Sequence, residues 1–264
     1  MAPKTVLITG CSSGIGLALA VKMARDKQKR FKVNNAGVGM IGPIECQTIE
    51  EMKGVMETNF FGVVRMIKEV LPDMKRRRSG HIVVISSVMG LQGIMFNDIY
   101  TASKFAVEGF CESLVIQALK FNIFVSLIEP GPVVTEFETK VYEDAENADY
   151  STTDPETADM FTNLYLKNSK AIFSSLGQTP NDIAEHTLRV ITAAKPPFRH
   201  QTNAVYTPMT ALKHADPTGA LMTDTFYKMV FKYDTLMHIS LKAIKVIRWQ
   251  ARKMRQGVKM LGFR

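Results

Sequence analysis

Two glycine-containing turns stand unusually close together in this chain, and their spacing limits what can be built between them. The first, Thr9-Gly10-Cys11-Ser12-Ser13-Gly14-Ile15-Gly16, follows the apolar run Thr5-Val6-Leu7-Ile8-Thr9. It precedes Ile15, Leu19 and Met23 at helical spacing, so it joins a buried strand to a helix running from about Ile15 to Arg25. Glycines at such a turn let a bound group approach the backbone, and the helix N-terminus offers free N–H groups to a pyrophosphate. A tight turn alone explains a glycine triplet almost as well; the strand-to-helix setting is what points to anion binding. The second turn, Asn34-Asn35-Ala36-Gly37, follows so soon that only 20 residues separate Gly16 from Gly37.

Beyond the second turn the periodicity alternates between helices and strands. Thr48 and Glu51 form a capping box for a helix running toward Leu71. Ile82-Val83-Val84-Ile85-Ser86 is a second apolar strand, a helix runs from near Tyr100 to Phe121, and a third strand, Ile123 to Ile128, stops at Pro130-Gly131-Pro132. Near-continuous Val/Ile strands with helices between them predict an α/β fold, a parallel sheet covered on both faces. Lys75-Arg76-Arg77-Arg78 before a Ser-Gly turn caps a helix C-terminus. Asp154-Pro155 and Thr179-Pro180 open two more helices. The acidic, Ser/Thr-rich stretch from Val141 to Asp159 reads as a long mobile loop. With 264 residues, 46% of them hydrophobic, one core-bearing domain is expected. It spans residues 1–215, with a basic helical extension over 216–264.

The net charge of +8 is unevenly spread: residues 235–264 hold eight Lys or Arg and no acid, while 136–160 hold nine acids and one Lys. No interleaving of basic and aromatic residues marks a nucleic-acid surface, so no nucleic-acid partner is expected. Cys11, Cys46 and Cys111 make no CxxC pair and read as small buried hydrophobes in a reduced, intracellular setting. The start lacks a signal-peptide pattern and no apolar run has membrane-spanning length, so a cytoplasmic protein, soluble or peripheral, is expected. No metal is expected.

Tyr100 and Lys104 fall at i and i+4, on one helix face. A free tyrosine, with a pKa of about 10, is a poor base, and a neighbouring ammonium favours its phenolate. Such a pair can move a proton in an alcohol–carbonyl interconversion. Taken alone, the pair also fits an ordinary surface Tyr and Lys. Ser87 ends a strand thirteen residues before Tyr100, where a hydroxyl can hold a substrate oxygen; Ser86 competes for that role, and the spacing favours Ser87. Asn59 sits inside a helix, where Asn is a middling former, and so suggests a structural or catalytic task.

TGCSSGIG, NNAG, the Asn59-centred TNFFG, the Ser87-to-Tyr100 spacing, YTASK and EPGPVVTEF occur together and in order. In this the chain resembles the short-chain dehydrogenase/reductase family, in the branch that acts on retinoids and 17β-hydroxysteroids. The likeness covers most of residues 4–215. It implies a Rossmann-type, doubly wound parallel sheet and NADP(H)-dependent oxidation and reduction of a small hydrophobic substrate. By position, Tyr100 would be the general acid/base, and Lys104 would lower its pKa and hold the nicotinamide ribose. Ser87 would orient the substrate oxygen and Asn59 would position a water in a proton relay. Gly10, Ser12, Gly14, Ile15 and Gly16 would cradle the pyrophosphate. Asn35, Ala36 and Gly37 would line the adenosine ribose, and Pro130, Gly131, Val133 and Thr135 would meet the nicotinamide. A homodimer through two long helices is a further implication.

Against the family pattern, the second and third strands and their helices are missing: Lys29-Arg30-Phe31-Lys32-Val33 looks like the start of the second strand fused to the tail of the fourth. The residues that would read the adenosine ribose and adenine go with that segment. The first strand becomes an apolar edge. Linking it directly to the fourth predicts a left-handed crossover if the first helix keeps its face, or a helix moved to the occupied face if the crossover stays right-handed. A non-catalytic remnant is therefore the alternative to an enzyme. In the tail, Met237, Leu241, Ile244, Ile247, Ala251, Met254 and Val258 recur at helical spacing beside Lys242, Lys245, Arg248, Arg252, Arg255 and Lys259. This fits a helix docked on its own domain or one lying on an anionic membrane.

Overall fold

The computed structural model describes residues 7–24, 32–233, 235–236, 238–247 and 250. Thr5, Val6, Arg25, the Lys29–Phe31 stretch, Met237, Arg248 and the tail residues from Ala251 onward lie outside them.

The apolar runs form strands β1 (Leu7–Ile8), β2 (Lys32–Asn34), β3 (Gly80–Ile85), β4 (Ile123–Glu129) and β5 (Arg199–Gln201), all parallel and in that spatial order. β2 pairs with both β1 and β3, so one short strand directly bridges the first strand and the rest of the sheet. β1 is left at the edge with Leu7 43% exposed, as an uncovered first strand must be.

Helices α1 (Gly14–Ala24), α2 (Ile49–Met56), α3 (Gly62–Arg76) and α4 (Asp98–Leu119) fill the first half, with a π-helical turn over Glu57–Phe61 between α2 and α3. Helices α5 (Glu136–Asn147), α6 (Pro155–Asp159), α7 (Leu166–Leu176), α8 (Pro180–Thr192), α9 (Thr207–Ala215) and α10 (Ala220–Phe231) follow. The expected caps are present. Thr48/Glu51 and Thr179/Asp182 each make both bonds of a capping box, Asp154 accepts from the Thr157 amide, and Lys75 and Arg76 occupy the last turn of α3.

Strand side chains alternate between two cores. Val83 and Ile85 face α1 and α8, joining Leu19, Met23, Ile183 and Val190; Ile82 and Val84 face α3 and α4, joining Ile67, Val107 and Cys111. This alternation fixes the hand of the shortened connection. The steps from β1 to β2, β2 to β3 and β3 to β4 run the same way across the sheet, but α1 lies on the face opposite α3 and α4. The first crossover therefore has the opposite hand to the next two. With those right-handed, as about 98% of such units are, the first is left-handed. Of the two expected solutions the chain takes the one that keeps α1 against α8, where Leu19 and Met23 are buried.

Two expectations are corrected. Val141 to Asp159 is not a long loop: α5 and α6 cover most of it, and Ala145 and Tyr142 pack against Phe161 and Tyr165. Of the acidic residues that suggested a loop, Glu143, Asp144 and Glu146 lie exposed on α5, and Asp154, Glu156 and Asp159 belong to α6 or its cap. Only Cys111 is fully buried; Cys11 and Cys46 are half-buried, with the Cys11 thiol donating to the Ile8 carbonyl oxygen and Cys46 beside the Thr152 hydroxyl.

Behind the sheet, Arg199 on β5 gathers carboxylates from α4 and β4, pairing with Glu108 at 2.5 Å, Glu129 at 2.7 Å and Glu112. Glu129 is fully buried, and burial followed by the Glu108 charge pushes its pKa up to about 7. The cluster ties the helix that carries Tyr100 to the strand that leads into Pro130.

Candidate active site

The parallel sheet brings the strand ends and the two glycine turns to one edge. Gly10 and Gly14 adopt left-handed backbone angles, φ 62° and 57°, which favour glycine. A Cβ on Gly16 would lie 2.2 Å from the Gly10 carbonyl oxygen. The Asn35 amide donates to the carbonyl oxygens of Thr9 (3.2 Å) and Gly10 (3.0 Å), and the Thr9 hydroxyl accepts from the Asn35 and Ala36 backbone amides. The second turn thus locks onto the first with no intervening segment. The N-terminus of α1, with no acid in its first turn, opens into the same cleft.

Tyr100, Lys104 and Ser103 are presented by α4. Lys104 Nζ donates to the Ile85 carbonyl oxygen at 3.2 Å and lies 5.5 Å from the centre of the Tyr100 ring. The Ser87 hydroxyl hydrogen-bonds the Tyr100 phenol, and it also accepts from the Met89 amide at 3.1 Å. Ser86 turns instead toward Gly90 and Glu108, so Ser87 is the one set beside Tyr100.

Asn59 is buried in the π-helical turn. Its Oδ1 accepts from the Val38 amide at 2.8 Å, and its Nδ2 donates to the Val38 carbonyl oxygen at 2.9 Å and to the Ser103 hydroxyl at 3.0 Å. Ser103 in turn donates to the Tyr100 carbonyl oxygen at 2.7 Å. Asn59 therefore braces the second glycine turn against α4. Both its amide hydrogens are committed to protein acceptors, so the Asn59 side chain would offer a relay water only the remaining lone pair of Oδ1.

The electrostatics differ from the expectation that Lys104 draws Tyr100 toward phenolate. Tyr100 is pushed above its ordinary range, first by burial and then by the charge of Glu138, with the Ser87 hydrogen bond opposing. Burial also lowers Lys104 to about 8, partly offset by Glu108. Desolvation is the largest cause for both groups, Lys104 being buried and Tyr100 half-buried in the cleft.

These residues line a cavity of about 710 Å³ that continues from the glycine turns to an apolar chamber. Gly10, Ser12, Gly14, Ile15, Asn35, Ala36 and Gly37 stand at one end, Pro130, Gly131, Val133 and Thr135 along the side, and Ser87, Tyr100 and Lys104 on the floor. The chamber is walled by Phe137, Ile172, Phe173, Met209, Phe226 and Val230. Its size falls within the usual range for small-molecule sites. Two contributors are not readable as site residues in the sequence: α10, whose spacing fits any docked helix, and Glu138, whose position three residues after Thr135 imitates an ordinary capping box.

Added Cβ atoms at Gly10 or Gly16 would meet Ala36, Asn35 or the Gly10 carbonyl oxygen, so these glycines serve the close approach of the two turns, while the acid-free N-terminus of α1 and the cavity beside Gly10, Ser12, Gly14 and Ile15 are compatible with a pyrophosphate. Beyond β1, where an adenosine would lie, no described residue forms a wall.

Comparison with known proteins agrees with this geometry. The short chain dehydrogenase family description matches residues 31–146. Retinol dehydrogenase 8 of Bos taurus is 45% identical, covering 92% of this chain and 95% of that protein. Human 17-beta-hydroxysteroid dehydrogenase type 1 is 36% identical over 88% of this chain and 87% of its own. The bovine alignment runs over 297 positions, more than the 264 residues here, so that protein carries residues this chain lacks. Among solved structures, a short chain dehydrogenase/reductase from Burkholderia phymatum in complex with NAD superposes with a TM-score of 0.65 at 21% identity, covering 82% of this chain and 94% of that one. ElxO with NADP bound gives a TM-score of 0.59 at 18% identity, over 78% of this chain and 99% of its own; these two likenesses concern the fold.

Proposed function

The chain belongs to the short-chain dehydrogenase family of oxidoreductases that use a nicotinamide cofactor, and on that premise we propose that it interconverts all-trans-retinol and all-trans-retinal with NADP(H). The observation that carries this reading is the grouping of Ser87, Tyr100 and Lys104 on a cavity whose walls include Phe137, Ile172, Phe173, Met209, Phe226 and Val230, with Glu138, Asn168 and Ser169 as further polar groups. A largely hydrocarbon substrate with an oxygen to present to Tyr100 fits that lining. The cofactor supplies or accepts the hydride. Ser87 holds the substrate oxygen, Tyr100 gives it a proton in reduction and takes one in oxidation, and Lys104 supports the Tyr100 ring and reaches toward the nicotinamide ribose. Asn59 keeps the second glycine turn in register with α4. The choice of NADP(H) follows the resemblance to the retinoid and steroid branch. A 17β-hydroxysteroid is the second substrate, supported by the 36% identical relative.

Two further features accompany this reading. The exposed Ile116 and Leu119 on α4 support a homodimer through the long helices. The extension over 216–264 supports peripheral membrane contact: α10 lines the chamber, and beyond it Ile239, Val246 and Ile247 are exposed beside Lys242 and Lys245, while Leu241 is buried on the domain. No helix among the described residues is long and apolar enough to cross a membrane.

The test is product formation from retinal, and in parallel from estrone, by the purified chain with NADPH. Tyr100→Phe should cut turnover at least about 100-fold with unchanged circular dichroism, since only the proton is lost. Undiminished turnover in that variant removes Tyr100 from its role. No turnover of either substrate by the unaltered chain identifies the remnant.

A further inference from the structure

The roof of the chamber is anchored by a charged side chain that does not line it. Met209 of α9 and Phe226 and Val230 of α10 line the cavity. The two helices meet at a fixed corner: the Asp216 carboxylate accepts from the backbone amides of Thr218 (2.9 Å) and Leu221 (2.8 Å) and from the Thr218 hydroxyl (2.7 Å). Among the described residues, the side-chain hydrogen bond that ties residues 211–231 to the rest of the domain comes from Lys213. Its Nζ, at the last turn of α9, donates to the Leu91 carbonyl oxygen at 2.8 Å and lies 4.1 Å from the centre of the Phe105 ring. A helix-end lysine ordinarily sends its ammonium into water. The half-buried Lys213 turns it onto a carbonyl and an aromatic face instead.

Both partners of Lys213 adjoin the catalytic groups. Leu91 is buried and C-caps the short turn Val88–Gly90, whose N-cap is Ser87. Gln92 and Ile94, just beyond it, line the cavity, and Phe105 directly follows Lys104 on α4. We propose that Lys213 is a positioning residue that sets the height of the α9–α10 roof above Ser87 and Tyr100, and with it the affinity of the site for a long apolar substrate. The inference rests on the reading above, in which a largely hydrocarbon substrate presents its oxygen to Tyr100. With that oxygen held at the floor, the rest of the molecule lies against Met209, Phe226 and Val230. Those contacts are the same before and during hydride and proton transfer, so they contribute to binding and not to the chemical step. Freeing the roof therefore weakens substrate binding and leaves turnover at saturation alone.

The experiment compares the full chain with Lys213→Met, which keeps the stem and removes the ammonium, and with Lys213→Arg, which keeps charge and donors. With retinal and NADPH, Lys213→Met should raise KM about 10-fold while kcat and the Kd for NADPH stay within about 2-fold. Lys213→Arg should stay within about 3-fold of the parent KM, since a guanidinium can still meet a carbonyl and an aromatic face. Independently of turnover, backbone amides over residues 220–231 should exchange about 10-fold faster in Lys213→Met than in the parent, without cofactor or substrate, while those of α4 are unchanged. An unmoved KM, a matching fall in kcat, or unmoved exchange over α10 overturns the proposal, and so does a Lys213→Arg variant no better than Lys213→Met. A parent chain that turns over neither retinal nor estrone overturns the reading beneath it, and the exchange comparison then stands alone as the test of the roof.

Discussion

The side-chain amide of Asn35 donates to the carbonyl oxygen of Gly10 at 3.0 Å. That bond joins the two glycine turns whose closeness in the chain is the first anomaly of the sequence. It explains how a chain lacking two strands still presents a cofactor cradle: β1 and β2 become neighbours, and their loops meet edge to edge. The cost is carried elsewhere, in a left-handed crossover, an exposed β1 and an Asn34 carboxamide that is buried with no partner among the described residues. Each buried unsatisfied group costs about 1–3 kcal/mol.

Gly16→Ala tests the contact directly. Its Cβ would sit 2.2 Å from the Gly10 carbonyl oxygen and 2.6 Å from the Asn35 amide. Separating the turns should cost about 1–3 kcal/mol of stability and weaken cofactor binding together. A thermal melt unchanged from the parent would mean that the turns are not locked.

Lys104 predicts a trade of stability for function. Its native pKa is lowered from 10.5 to about 8. Between those values the unfolded chain binds more protons than the native one, so stability rises with pH through that window and is penalised below it. Lys104→Met should therefore raise the cofactor-free stability at pH 7 by about 2 kcal/mol. The gain should shrink above pH 8 and vanish near 10.5, while turnover is lost. Urea melts across pH check this; a variant less stable than the parent at pH 7 would contradict it.

The basic extension predicts salt-sensitive attachment to anionic membrane. Cationic side chains near such a surface contribute about 1 kcal/mol each. Full-length protein should pellet with phosphatidylserine vesicles and a chain lacking residues 236–264 should not, with high salt releasing the former. Equal pelleting of both, or indifference to salt, would leave the extension as a packing element alone.

Much of this was legible in the residues themselves. Local signals survive folding, which is why the Thr48–Glu51 box, the Val/Ile strands and the Tyr100–Lys104 pair sit where periodicity places them. Tertiary effects were not legible. The acidic stretch after Val141 looks like a loop because the contacts that make α5 a helix, Tyr142 and Ala145 against Phe161 and Tyr165, come from distant sequence. Tyr100 reads as a phenol lowered by Lys104, yet burial reverses that direction in the folded chain. Glu138 carries no sequence signal of a site residue, yet it lines the cavity.

The two directly joined turns should still hold a nucleotide. Fluorescence titration of NADPH against the full chain tests it, with a version carrying the missing strand–helix–strand–helix segment as reference. Saturable binding by the short chain is expected, at least about 10-fold weaker than the reference for want of adenosine contacts. No saturable binding by the short chain, with the reference binding normally, would contradict it.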